Sequence, residues 1–97
     1  MKHIVLFKFE GNKNYENLSK ILSGTYEKLK NEFNVIKNYE FKVNCLENEA
    51  NMDIILFVDL GNDYSLKEYI EHPEHQNFIK KFKAEGLCGK SVIDINE

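Results

Sequence analysis

Apolar residues fall in separate blocks along this 97-residue chain, and their period changes from block to block. From Lys2 to Phe9 β-branched and aromatic residues predominate. Ile4 and Leu6 would point one way from an extended chain, with Val5, Phe7 and Phe9 pointing the other, and Glu10-Gly11-Asn12 ends the run as a turn cluster. Leu18, Ile21, Leu22, Tyr26, Leu29 and Phe33 then recur at steps of three and four, which predicts a helix capped by Asn14. Val35 to Asn44 alternates, with Tyr39, Phe41 and Val43 opposite Glu40, Lys42 and Asn44, as a half-exposed strand does. Asp53 to Leu60 is the most apolar run and stops at Gly61-Asn62-Asp63. A second helical region is expected from about Ser65 to Ala84, interrupted at Pro73, with Leu66, Tyr69, Ile70, Phe78, Ile79 and Phe82 on its stripe. Gly86 and Gly89 bracket its exit, and Ser91 to Ile95 is the expected last strand.

The predicted order, βαββαβ, is that of a single α+β domain over 1–97: a mainly antiparallel four-stranded sheet with helices packed on one face. A sheet covered on one side should alternate cleanly between apolar and polar positions. The first strand and the Asp53–Leu60 strand do not, since both are apolar on both faces. A second copy of the same sheet would cover the spare face, so a homodimer burying either the Val5/Phe7 or the Ile4/Leu6 face is predicted.

Charge and cysteine content narrow the function classes. The net charge is −3 and every basic residue other than histidine is lysine, which argues against a nucleic-acid binder and against bidentate recognition of phosphate. No apolar run approaches the roughly twenty residues of a membrane span. Cys45 and Cys88 are far apart with no CxxC partner, and Met1 runs directly into a strand, so reduced thiols in a cytoplasmic protein are expected. Lys80, Lys81 and Lys83 read as the solvated face of the last helix.

The candidate chemistry is concentrated in Tyr69-Ile70-Glu71-His72-Pro73-Glu74-His75, where two imidazoles and a phenol surround a proline. With Pro73 at the first helical position, its missing N–H costs nothing and His75 falls in the first turn. In an unbroken helix Tyr69 and His75 would point about 120° apart, so the interruption is needed to bring them together. The same residues also admit a plainer reading: His75 bonds a backbone carbonyl, Tyr69 fills the core, and the stretch merely starts a helix. A zinc site needs three or four ligands, and neither cysteine is placed by sequence to join His72 and His75 on their shared helical face. No metal and no cofactor is therefore predicted. Haem is further disfavoured by the absence of tryptophan and the scarcity of basic surface.

The opening Lys2-His3-Ile4-Val5-Leu6-Phe7-Lys8, the apolar third strand and the Tyr-x-x-His-Pro-x-His stretch together resemble the stress-responsive A/B barrel domain (Dabb) family over nearly the whole chain. The resemblance implies a ferredoxin-like fold whose two sheets close face to face into a dimeric α+β barrel, and most members have no assigned activity. A plant polyketide cyclase of that family closes its substrate by intramolecular aldol condensation without a metal. Its catalytic tyrosine and histidine fall on Tyr69 and His75, its first-strand histidine falls on His3, and a further pocket histidine is replaced here by Asp53. On that reading His75 is the base, Tyr69 donates to the developing oxyanion, His3 is a third catalytic residue, and Asp53 and His72 are binding residues. Strands one and three are read as parallel neighbours, which would put His3 and Asp53 at the same end as a hydrogen-bonded pair. Two functions stay open: a small-molecule-binding or structural dimer, with a small hydrophobic ligand, and a metal-independent lyase or cyclase acting on a β-keto or polyketide-like compound.

Overall fold

Strand β1 (Lys2–Phe9) leads through helix α1 (Tyr15–Asn31) to strands β2 (Asn38–Val43) and β3 (Ile54–Asp59). Helices α2 (Leu66–Glu71) and α3 (Pro73–Ala84) follow, and strand β4 (Leu87–Ile95) completes the sheet in the order β2-β3-β1-β4. The structure, a computed structural model, describes residues 1–96; Glu97, the last residue of the expected domain, lies outside the described residues. This is the ferredoxin-like α+β arrangement. Its last strand begins at Leu87, four residues ahead of the expected Ser91. The early start follows from Gly86, whose φ of 99° turns the chain straight from α3 into the ladder and whose carbonyl accepts the Glu10 amide at 2.9 Å. Val35 and Ile36 do not join β2, but both are buried in the core.

Every strand pair is antiparallel, including β1 with β3, which corrects the parallel arrangement expected from sequence. The reason is topological. The crossover through α1 brings β2 back in the direction of β1, and the β2–β3 hairpin reverses it, so β3 runs against β1. In the resulting register His3 lies opposite Val58, while the Asp53 amide donates to the Phe7 carbonyl at 2.8 Å near the other end of β1. With five residue steps from Asp53 to Val58, the expected partners stand roughly 17 Å apart along the strand.

Helices cover the face carrying His3, Val5, Phe7 and Phe9 of β1 and Ile54, Leu56 and Val58 of β3, all buried. Phe82 of α3 anchors this layer, with ring centroids 5.1 Å from Phe7, 5.0 Å from Phe9 and 4.3 Å from Phe78. Leu18, Leu22, Tyr26 and Leu29 of α1 complete it, and the Asn14 side chain caps that helix by accepting from the Asn17 amide at 3.0 Å. Since directly paired residues share a face, the opposite surface carries Ile4, Leu6, Ile55, Phe57, Ile93 and Ile95. These are partly buried or exposed, Ile93 reaching 59%. The spare face is therefore the Ile4/Leu6 face.

Phe82 is fully buried among aromatic rings from β1 and its own helix, so truncation leaves a cavity that the sheet cannot collapse into. Phe82→Ala is expected to lose about 3–5 kcal/mol of stability, read from the urea midpoint at unchanged m-value.

Candidate functional site

Pro73 organises the local backbone. It has no N–H to give to the Tyr69 carbonyl, which instead accepts from the His72 amide at 3.3 Å. His72, at ψ 137°, leaves the helix and becomes the N-cap of α3, its Nδ1 accepting from the Glu74 amide at 3.1 Å. A continuous helix would send that amide to Ile70. The Ile70 carbonyl is left for two side chains: His75 Nδ1 at 3.0 Å and Gln76 Nε2 at 2.8 Å.

That carbonyl fixes the tautomer of His75. A carbonyl oxygen only accepts, so Nδ1 carries the proton. Burial, offset only in part by the Ile70 bond, lowers the His75 pKa from 6.5 to about 4, with the positive charge of Lys90 adding to the effect. The ring is neutral at pH 7 and Nε2 holds a lone pair. Among the described residues no buried side-chain nitrogen or oxygen lacks a partner, so Nε2, which has none, reaches solvent.

Tyr69 and His3 gather around this imidazole. The Tyr69 ring lies 4.8 Å from His75 and, edge-on, 5.8 Å from His3. Its hydroxyl shares a short hydrogen bond with Tyr26, and burial raises both phenol pKa values, so both stay protonated. Tyr26 also packs on Tyr39, whose hydroxyl donates to Glu27 at 2.8 Å and whose pKa burial pushes up to about 12. His3 donates from Nδ1 to the Asp94 carboxylate at 2.5 Å, a bond that its register opposite Asp94 makes possible. The structure thus brings together His75, Tyr69 and His3, and adds Tyr26 and Asp94, which the sequence reading missed. Tyr26 was legible only as a member of the helical stripe. Asp94 stood out as a carboxylate between Ile93 and Ile95, but only the β1–β4 register pairs it with His3.

The two expected binding residues lie elsewhere. His72 does not share the face of His75, because as N-cap it stands outside the helix, its ring 4.7 Å from Phe33. Asp53 does not pair with His3. Its carboxylate accepts from Lys13 Nζ at 2.9 Å, Tyr15 Oη at 2.7 Å and the Phe9 amide at 2.7 Å. Burial pulls its pKa upward, but these donors outweigh it and hold the carboxyl below its ordinary value. A cleft of about 770 Å³ opens at this end, lined in part by Lys13, Tyr15, Asp53 and the free thiols of Cys45 and Cys88. Among the described residues no group of three or more His, Cys, Asp or Glu side chains is placed to hold a metal ion, and no helix is long and apolar enough to cross a membrane.

The folded protein holds His75 neutral, whereas the unfolded chain protonates it below its ordinary 6.5. The sign follows: this group costs nothing above pH 6.5, and stability falls as pH drops from there towards 4, by on the order of 3 kcal/mol at the end of the window. Urea titrations at pH 7, 6, 5 and 4 should show a shallower decline for His75→Gln than for the native chain.

The comparisons with known proteins agree with the fold. None of the curated proteins matches the chain. A dimeric protein of unknown function and ferredoxin-like fold from Bacteroides fragilis is 27% identical, with a TM-score of 0.71 over 99% of this chain and 94% of that one. The protein At3g17210 from Arabidopsis thaliana is 22% identical, with a TM-score of 0.77 over 99% and 93% of the two chains. The hydroxynitrile lyase of Passiflora edulis shares the fold at 14% identity, with a TM-score of 0.62 over 99% and 94%. The family model for the stress responsive A/B barrel domain matches residues 1–95, and with that match over nearly the whole chain the protein belongs to the stress-responsive A/B barrel family.

Proposed function

We propose that this protein is a homodimeric, metal-independent acid–base catalyst of the lyase or cyclase type, acting at a carbon next to a carbonyl group. The observation that carries the reading is the state of His75: neutral, with Nδ1–H fixed on the Ile70 carbonyl and the Nε2 lone pair without a partner among the described residues. In this reading Nε2 takes the proton from the α-carbon, and the C–H electron pair moves to the carbonyl oxygen as an enolate. With Tyr26 donating to Tyr69, the Tyr69 phenol keeps its own proton to donate to that oxygen. The enolate carbon then attacks a second carbonyl carbon of the substrate, that carbonyl's π pair moves to its oxygen, and the imidazolium gives the proton to this oxygen. In the lyase direction the same steps run in reverse, from the hydroxyl proton to carbon–carbon cleavage. His3, held by Asp94, closes the same cluster. A lyase among the proteins of this fold supports the reaction class by analogy of fold alone.

A second reading, a binding or structural dimer without chemistry, draws on one observation. Tyr69 is fully buried and its hydroxyl already engaged by Tyr26. Deuterium exchange at C2 of methyl 3-oxooctanoate, followed by proton NMR against buffer, separates the two. Acceleration by the native protein, lost about a hundredfold in His75→Ala and reduced strongly in Tyr69→Phe, is expected to be indifferent to a chelator. Equal exchange in the His75→Ala protein leaves the binding reading.

The dimer rests on the apolar face of Ile4, Leu6, Ile55, Phe57, Ile93 and Ile95, for which the chain offers no third layer, and several similar structures are described as dimeric. An obligate pair on this face buries on the order of 1,500 Å² or more. Sedimentation at micromolar concentration should show a dimer for the native chain and a shift to monomer or to unfolded chain for Phe57→Glu. A folded native monomer would contradict the assignment.

A further inference from the structure

Strand β4 carries a stripe that the His75 cluster leaves unexplained. Lys90 pairs with Phe7, Val92 with Val5 and Asp94 with His3, so all three side chains of β4 share the helix-covered face of the sheet. Yet α3 does not cover them: Lys90 and Asp94 are exposed and Val92 is 47% exposed. The stripe therefore borders the cluster on its open side. One end is an ammonium, the middle is apolar, and the other end is a carboxylate already engaged by His3. From Lys90 to Asp94 it runs about 13 Å.

The ammonium of Lys90 has no hydrogen-bond or ion-pair partner among the described residues. Lys8, Lys13, Lys20 and Lys42 by contrast are engaged: Lys8 by the carbonyls of Glu49 and Asn51, Lys13 by Asp53, Lys20 by Glu16 and Lys42 by Glu40. Asp94, the acidic residue on the same stripe, is turned to His3. Lys90 also stands near enough to His75 for its charge to disfavour the imidazolium. A bound anion on Lys90 would offset that charge and so ease proton uptake by Nε2, where the proposed reaction needs it.

We propose that Lys90 holds the carboxylate of the substrate, and that the His75 site accordingly takes keto acids in preference to neutral carbonyl compounds. The inference rests on the reading of His75 as a proton-transfer site and adds the substrate class to it. The carboxylate lies on Lys90, the adjacent α-carbon at His75 Nε2 and the carbonyl at Tyr69, while the alkyl tail beyond the carbonyl passes over Val92. Lys90 is a specificity-determining residue here and moves no proton.

The probes are 3-oxooctanoate and its methyl ester, identical except for the charge, with affinity read from the shift of the His75 ring proton in NMR titrations. The acid should bind at least tenfold more tightly than the ester to the native dimer. In Lys90→Met the acid should fall to the affinity of the ester while ester binding stays unchanged, and Lys90→Arg should retain the preference for the acid. Lys90 is exposed, so these variants do not endanger the fold. Equal binding of acid and ester to the native protein, or a preference that survives in Lys90→Met, overturns the inference. If His75-dependent exchange of the ester persists in either case, the proton-transfer reading stands without it. If neither probe moves the His75 resonance, the inference and the reading beneath it fall together.

Discussion

The site depends on one missing proton. Proline supplies no amide hydrogen at position 73, and the consequences pass along the backbone from donor to acceptor. The Tyr69 carbonyl turns to His72, the Glu74 amide turns to the His72 ring, and the Ile70 carbonyl is released to the side chains of His75 and Gln76. The tautomer of His75 follows from the last of these, and its neutrality from the burial that the turn imposes. An alanine at position 73 would offer the amide that a regular helix requires, and the carbonyl that fixes the imidazole would be taken by backbone.

The plain and the catalytic readings of the His-Pro-Glu-His stretch are not alternatives at the level of geometry. His75 does bond a backbone carbonyl, and Tyr69 does fill the core. A carbonyl on Nδ1, however, is what an imidazole needs to present Nε2 as a base, and a buried phenol with a raised pKa keeps the proton that an oxyanion donor must have. What separates structure from chemistry is whether a ligand reaches Nε2, on a residue that is only 6% exposed.

The elements themselves were legible because local signals agreed: the Asn14 cap, the helical stripe of α1 and the proline break each stand where the residues put them. The spare apolar face was legible too, since alternation fails in β1 and β3 whichever face the helices take. The pairing of residues across the sheet was not. The direction of β3 relative to β1 is set by a crossover and a hairpin acting together, and reading it as parallel placed His3 beside Asp53. Asp94 and Tyr26 escaped for a related reason. Each acts through a partner far along the chain, 91 residues for the His3–Asp94 bond and 43 for the Tyr26–Tyr69 bond, and no periodicity encodes such contacts.

The Asp53 carboxylate bears on how the sheet opens. Strand ends ordinarily fray ahead of the rest of a fold. Here the terminal amide of β1, on Phe9, is held by a buried carboxylate that also grips Lys13 and Tyr15 at the entrance to α1 and belongs to the start of β3. Three segments distant in sequence are tied at one atom group, so none can peel away without exposing the carboxylate's other ligands. The rim of the cleft beside Cys45 and Cys88 is thereby drawn into the same cooperative unit as the aromatic layer, and a loop-lined opening is built on backbone that opens only when much of the domain does.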